Sequence, residues 1–420
     1  MSMSCKRMHR VFIFATALLG LILPAGGLFI ATGVQAAQFG LQKKPLDRYL
    51  APSGRIQSIA VFGNDDRRRV PKRYRQLTDR IGLLYNSRAR TLCTAFCVAP
   101  NVAATAAHCI FRRTNWGPQP LKEFWFELRK GKRKSQTRIA GAANKAGMQN
   151  IIAGTTKLRV RPPIDAANDW ALIRLAKPIC TGKTIAVRGI SAKALEAAAG
   201  AGRVFQISYH RDYEHWKLAY SRPCQVRRQY RGLRRRQIRQ EFTNPGNLLL
   251  HRCDTAGASS GSPLLLASEA GPVAVGINVG TYVQSRKPVR NSRVARETKA
   301  RTIANTGVNA AAFRPFISRM ERAKVLANHS TLTSLQVRLR ELNLYGGPID
   351  GIFGNMTRAA IQAYERSRSE PQTGLPTLRL LDALGKAPPV PRRKPYHGAN
   401  ASVHPKSFAG LRSRATLTQR

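Results

Sequence analysis

Between about Ile56 and Ser318 the apolar residues come in short β-type runs separated by Gly, Pro and Asn, and no long amphipathic helix interrupts them. This rhythm constrains the fold more than any other feature of the chain. The clearest runs are Thr94–Val98, Glu123–Leu128, Leu158–Val160, Ala171–Leu175, Val204–Tyr209, Leu248–Leu250 and Val273–Val279. Many short strands with turn residues between them imply an all-β sandwich or barrel. About 260 residues suffice for two barrels packed together. Two stretches break the pattern. Ser191 to Gly200 is alanine-rich and reads as a helical or loop insertion. Arg222 to Gln240 carries eight basic residues and no acid, so it reads as an exposed loop or charged hairpin with a solvated face.

From about Thr331 to Gly385 the period becomes helical. Leu335, Leu339 and Leu342 share a face, and Tyr345-Gly346-Gly347-Pro348 ends that helix. Ile349-Asp350-Gly351-Ile352-Phe353-Gly354 is a tight turn with apolar anchors. Thr357 is placed to cap a second helix bearing Ala360, Ile361 and Tyr364, and Leu378, Leu381 and Leu384 suggest a short third one. Residues 387–420 are rich in Pro, Ser, Ala and cations with no acid, which predicts a disordered basic tail.

Residues 1–37 have the layout of a secretory signal. Lys6, Arg7 and Arg10 precede a largely apolar Val11–Ile30, broken by Pro24 and Gly26-Gly27, and Val34-Gln35-Ala36 offers small residues for cleavage near Ala37. The segment 38–55 follows as a polar lead. Export permits disulfides. Cys5 leaves with the signal, and the six remaining cysteines allow fifteen pairings of three bridges. Cys93 and Cys109 bracket a strand and form the best-supported pair. Cys224 with Cys253 is a second candidate pair, because Cys253 lies just before the serine loop, and Cys97 and Cys180 remain by elimination. The formal charge of +50 is spread along the chain, densest at Arg67-Arg68-Arg69, Arg227-Arg228, Arg234-Arg235-Arg236 and Arg392-Arg393-Lys394. Such a chain is drawn to polyanions. For an exported protein these are acidic envelope polymers before nucleic acid, for which no helix-turn-helix, zinc or RNA-binding motif is present. An arginine-rich solvated surface without a dedicated partner is the alternative.

Three short motifs carry chemistry: Thr105-Ala106-Ala107-His108-Cys109, Asp169-Trp170-Ala171-Leu172 and Ser260-Gly261-Ser262-Pro263. Serine is a weak nucleophile until a base takes its proton. A histidine can do so near neutral pH, and a buried carboxylate fixes its tautomer and steadies the imidazolium. The order His, Asp, Ser is that of chymotrypsin-like two-barrel peptidases rather than of subtilisins or α/β-hydrolases. Further stretches strengthen the likeness: Phe62-Gly63-Asn64-Asp65-Asp66-Arg67, Cys93 to Asn101, Asp254 to Pro263, and Val275 to Gly280. Across about Phe62 to Phe316 the chain resembles secreted bacterial chymotrypsin-like (trypsin-like) serine peptidases, in particular the glutamyl-endopeptidase branch. The resemblance implies an all-β double β-barrel over 56–325. It implies Ser260 as nucleophile, His108 as base and then acid, and Asp169 as the orienting carboxylate, with Asp165 a nearby competitor. The oxyanion hole would use the amides of Ala258 and Ser260. Asp254, Thr255, Asn278, Val279 and Gly280 would border the substrate.

Three positions depart from the family pattern. Ala258 stands where glycine is usual, which strains the oxyanion loop if it needs positive φ. Ser259 replaces the aspartate that receives a new amino terminus in trypsin-type activation, so that switch is unavailable; Arg80-Ile81-Gly82 mimics an activation site but lies too near Cys93 and reads as a strand start. Asn278 replaces the histidine of glutamyl endopeptidases, which argues against glutamate preference. Asp254, six residues before Ser260, would receive a basic side chain, or else is an ordinary aspartate of this branch.

Leu335-Gln336, Leu339, Leu342, Leu344-Tyr345, Gly347, Ile349 to Gly354, Thr357, Ala360-Ile361 and Tyr364 resemble a small peptidoglycan-binding domain, with Glu365 in place of a usual glutamine. That resemblance implies a small all-α three-helix domain over 331–386 and peptidoglycan as a partner. The expectation is an exported serine endopeptidase, periplasmic or extracellular and associated with the cell wall, acting on protein or peptide substrates without cofactor or metal. The alternative is an inactive envelope-binding protein on a peptidase scaffold.

Overall fold

The computed structural model describes residues 54–57, 60–86, 88–111, 113–114, 117–214, 217–221, 224–284 and 301–386. The expected signal segment, most of the 38–55 lead and the basic tail lie outside the described residues. The chain opens with β1 (Gly54–Gln57) and β2 (Arg68–Arg69), then runs through β3 (Ile81–Asn86), β4 (Thr91–Ala99), β5 (Val102–Thr105), α1 (His108–Phe111), β6 (Arg113–Thr114) and β7 (Gly117–Pro118). The strands β8 (Phe124–Lys130), β9 (Arg133–Arg138), β10 (Ile151–Ala153) and β11 (Ala171–Arg174) follow, before α2 (Ala192–Gly200). The second half holds β12 (Val204–Tyr209), β13 (Leu218–Ser221), α3 (Arg235–Glu241), β14 (Leu248–His251), β15 (Pro263–Leu266), β16 (Val273–Gln284), β17 (Arg301–Asn309) and α4 (Arg314–Arg322). The helices α5 (His329–Glu341), α6 (Asn355–Ser367) and α7 (Leu378–Gly385) end the described chain.

Two antiparallel sheets form the double barrel. The first has seven strands in the order β10-β11-β5-β4-β3-β8-β9. The second has eight, in the order β14-β17-β16-β15-β12-β13-β2, with β1 added to β16. Central strands are covered on both faces, so they read as unbroken apolar runs: every residue of β5, β12 and β15 is buried. One apolar core, including Phe96, Phe124, Phe126, Phe205, Tyr220, Tyr282 and Phe313, runs through both sheets.

Some local expectations are corrected. Leu158–Val160 forms no strand. Arg159 is bound to Asp165 at 2.6 and 2.7 Å, and Pro162-Pro163 follows closely, where proline cannot supply a ladder donor. The basic stretch ends in a helix, α3, rather than a loop or hairpin, because Ile238 seats one face on the barrel. The alanine-rich stretch does form a helix, α2, capped by Ser191, whose hydroxyl accepts from Ala194 N.

In the helical region, Leu332, Leu335, Leu339, Tyr345, Phe353, Ile361, Tyr364 and Leu384 build a separate small core. Thr357 lies inside α6 and does not cap it; Gly354 holds the N-cap position. Thr357 is buried, and its hydroxyl faces Gln336 Nε2 at 3.4 Å. Gln336 ties the turn together: its Oε1 accepts from Asp350 N and Gly351 N at 3.1 and 2.8 Å, and its Nε2 donates to Asp350 Oδ1 and Ile352 O at 2.9 and 3.1 Å.

The helical region is fastened to the first barrel. Arg358 of α6 is buried and donates to Ile151 O at 2.8 Å and Met148 O at 2.6 Å. Met148 packs on the helical core. Leu326 N donates to Pro376 O, and Leu378 N to Lys324 O, so the connector after α4 pairs with the segment before α7. Strand β10 is the edge of the first sheet, and Arg358 covers the Ile151 carbonyl there, which would otherwise face outward.

Candidate active site

Strand pairing brings the histidine and the carboxylate together. The turn at Pro100-Asn101 folds β5 back on β4, with Ala99 opposite Val102 and Phe96 opposite Ala104. Strand β11 pairs antiparallel with β5 in a register that sets Ala171 opposite Thr105. Asp169, two residues before Ala171, therefore meets His108, three residues after Thr105. His108 N donates to Asp169 Oδ1 at 2.8 Å, and His108 Nδ1 lies 2.7 Å from Asp169 Oδ2. The Asp169 side chain is 1% exposed and that of His108 is 20% exposed. This geometry puts a proton on Nδ1, and Nε2 lies 3.8 Å from Cys109 Sγ. Asp165 is engaged elsewhere: Arg159 holds both its oxygens and Thr243 Oγ1 donates to it at 2.8 Å.

The serine loop is seated across the two sheets. Thr94 N of β4 donates to Ser260 O at 2.9 Å, and Thr94 Oγ1 donates to Ala258 O at 2.8 Å. Gly261 N donates to Asn278 O of β16 at 2.8 Å. Gly261 has φ +86°, and a Cβ there would lie 2.2 Å from both Thr105 Oγ1 and Thr94 O, so only glycine fits. The disulfide Cys93–Cys109 ties β4 to the helix that starts at His108, with Cα atoms 6.2 Å apart. The structure also pairs Cys97 with Cys180 and Cys224 with Cys253.

Ala258 adopts φ +83°, the torsion usually left to glycine. The loop is held in that form from outside. Ser259 O accepts from Ser262 N, Ser262 Oγ and Asn278 Nδ2 at 3.1, 2.7 and 3.1 Å. Among the described residues, the amides of Ala258 and Ser260 have no acceptor. The Ser260 hydroxyl donates to Val279 O at 3.2 Å rather than to His108 Nε2.

Three expected substrate-contact side chains are turned inward. Asp254 is buried and accepts from Phe62 N at 2.9 Å and Asp66 N at 3.4 Å. Burial raises its carboxyl above the ordinary aspartate range, against those two amides. Its oxygens hold the amino-terminal segment and do not wait for a basic side chain. Thr255 pairs with Ala60 in both directions, at 3.1 and 2.8 Å, and its hydroxyl faces Asn305 Oδ1 at 3.2 Å. Asn278 gives its amide to Ser259 and takes a bond from His251. Val279 and Gly280 lie in β16, and Val279 O accepts from the Ser260 hydroxyl.

Sequence reasoning missed two supporting histidines. His251 is fully buried. Its Nε2 lies 3.1 Å from Asn278 Oδ1, and its Nδ1 accepts from Cys253 N at 3.3 Å. Burial pushes its pKa down to about 3, so the neutral ring donates through Nε2 and fixes which way the Asn278 amide points. His210 is likewise held down to about 3 by burial, then by the Arg67 charge. It accepts from Ala256 N at 3.2 Å and meets Ser208 Oγ at 2.8 Å. Neither residue sits in a recognisable motif, so only the fold reveals them.

Residues 72–299, more than half the chain, match the family model described as "Trypsin". The chain belongs to the trypsin family. Residues 328–384 match a second model, described as "Putative peptidoglycan binding domain". A search of curated protein sequences finds no match. Among solved structures, one named "Structure of Glu endopeptidase in complex with MPD" aligns with 17% identity and a TM-score of 0.39, over 62% of this chain and 98% of that chain. Within this trypsin-family site, Cys93, His108 and Cys109 place ligand-type atoms within 4.8 Å of one another. The two sulfurs are bonded to each other, so they offer no thiolate to a metal.

Proposed function

We propose that the protein is an exported serine endopeptidase held at bacterial peptidoglycan by its carboxy-terminal helices. The observations that support this reading are the buried Asp169–His108 pair, the Ser260 loop bonded to β4 through Thr94, and the backbone amides of Ala258 and Ser260, which have no acceptor among the described residues. In this scheme the Ser260 Oγ–H bond breaks and its proton passes to His108 Nε2 while Oγ bonds the scissile carbonyl carbon. The carbonyl oxygen takes the negative charge and accepts from the amides of Ala258 and Ser260. Asp169 keeps the imidazole oriented and steadies its cation. Collapse of the intermediate breaks the C–N bond, and His108 returns the proton to the leaving amine. Water, deprotonated by His108, then bonds the acyl carbon, and the C–Oγ bond breaks as His108 returns that proton to Ser260 Oγ, releasing the acid.

The wall location rests on the match of 328–384, on three disulfides that suit an oxidising compartment, and on the cationic surface. Among the described residues, no helix is long and apolar enough to cross a membrane. The second reading, a non-catalytic envelope-binding protein, is favoured by one observation: Ser260 donates to Val279 O instead of His108. Reaction with a fluorophosphonate separates the two. Labelling at Ser260 supports the peptidase, and its absence from the folded protein supports the scaffold.

A further inference from the structure

Strand β16 has two edges. One is taken along its length by β17, from Gly276 opposite Asn309 to Gln284 opposite Arg301. The other is covered by β15 only from Val273 to Ile277. Beyond that point it passes the serine loop: Asn278 exchanges bonds with Gly261 and Ser262, and Val279 O receives the Ser260 hydroxyl. A peptide whose carbonyl sits at Ser260 would add to this edge as an extra strand. The edge is not open farther along. From Thr281 to Gln284 it is paired with β1, Gln57 opposite Thr281 and Gly54 opposite Gln284.

The direction of β1 matters as much as its place. It is antiparallel to β16, so it runs toward Ser260 from amino to carboxyl end. This is the polarity that the acyl half of a substrate must have. One residue of β16, Gly280, separates Val279 from Thr281, a span of two residue steps or about 7 Å of strand. An acyl half longer than that span meets Gln57. The chain beyond β1 is then drawn aside. Ala60 is buried and paired with Thr255, and the Asp254 carboxylate accepts from Phe62 N and Asp66 N. Arg67 completes the fastening between Asp65 and Asp212, at 2.6 and 2.8 Å, with its side chain 2% exposed.

We infer that Gly54–Gln57 occupies the acyl-side substrate edge of β16, so that long polypeptides gain this edge only once the segment is displaced or removed. The inference rests on the peptidase reading above. It also makes Asp254 the anchor of the lead at Phe62–Asp66, so that loss of β1 leaves the rest of the segment in place.

The test uses the full chain and two variants, Ile56→Pro and Gln57→Pro. Neighbouring residues of an antiparallel strand alternate between donating to the partner strand and facing away. One proline therefore removes a ladder donor to β16, and the other removes a donor on the outer edge. Digestion of denatured casein is expected to rise at least tenfold for one variant and less than twofold for the other, with fluorophosphonate labelling of Ser260 in all three proteins. Labelling in all three with unchanged digestion overturns the inference and leaves the peptidase reading standing. Absence of labelling from the folded wild-type chain overturns the peptidase reading itself. Should the variants not fold, the wild-type chain is trimmed with an aminopeptidase and its terminus followed by mass. Casein digestion rises as the terminus passes Gln57 if the inference holds, and stays flat if it does not.

Discussion

Arg358→Met tests whether the helical region is a fixed part of the protein. Arg358 donates to Ile151 O and Met148 O at 2.8 and 2.6 Å, and among the described residues no carboxylate bonds to it. Burial pulls its pKa down to about 10, partly countered by Glu365. Methionine keeps much of the volume and removes the donors, leaving two carbonyls short of partners. Each charge-assisted bond contributes about 1.5–3 kcal/mol. Relief from burying the cation offsets part of that sum, so the net loss is about 2–4 kcal/mol. Read as hydrogen exchange through undocking, this is roughly a 30- to 1,000-fold acceleration, since about 1.4 kcal/mol is tenfold. The assay is amide exchange at β10 and along the buried face of α6, with far-ultraviolet circular dichroism to show that both regions still fold. Exchange within threefold of wild type at both places would refute the docking argument, because Arg358 would then be replaceable by solvent.

The other predictions concern the site. Asp169→Asn should lower Ser260 labelling roughly 10⁴-fold with little change in melting, because the amide presents a donor to His108 Nδ1 and inverts the tautomer; a loss under tenfold contradicts the assignment. Gly261→Ala should abolish labelling and lower stability by more than about 2 kcal/mol in urea titration, since the new Cβ would lie 2.2 Å from Thr94 O and Thr105 Oγ1. Ala258→Gly should keep labelling within about threefold and leave stability within about 1 kcal/mol, because relief at φ +83° is offset by a lost methyl and a freer unfolded chain; a larger change means the loop is held differently. His210 and His251 have folded pKa values of about 3, below the unfolded value. Between about pH 6.5 and 3 the unfolded chain therefore binds more protons, and stability falls with acidification by up to about 1.4 kcal/mol per pH unit for each ring. Urea midpoints measured from pH 7 to 4.5 should decline, and less steeply in His251→Gln; equal slopes would contradict the neutral, buried His251.

Much of the architecture is legible in the sequence because its signals are local. The short apolar runs mark β4, β8, β11, β12, β14 and β16, and the helical spacing marks α5 and α7. The His, Asp and Ser motifs each carry their own strand or loop, and their order points to the two-barrel family, within which β11 pairs with β5 and sets Asp169 against His108. The misses are long-range. Leu158–Val160 has strand composition, but Arg159 and Asp165 settle its form. Thr357 has capping chemistry, but Gln336, 21 positions earlier in the chain, draws it into the core. Asp254 looks like a receptor for a basic residue until Phe62, 192 positions away, donates to it. Arg358 looks like one more solvated cation in a chain of charge +50 until Ile151, 207 positions away, accepts from it. Composition says nothing about such pairings, because they depend on which loops the barrels bring together.

The central claim is that Ser260 is an activated nucleophile. Mass spectrometry of the folded, disulfide-bonded protein after fluorophosphonate treatment, beside Ser260→Ala, tests it most directly. A single adduct on Ser260 that is missing from the variant is the predicted result. A folded protein that takes up no label would contradict the account and leave the barrel as a scaffold.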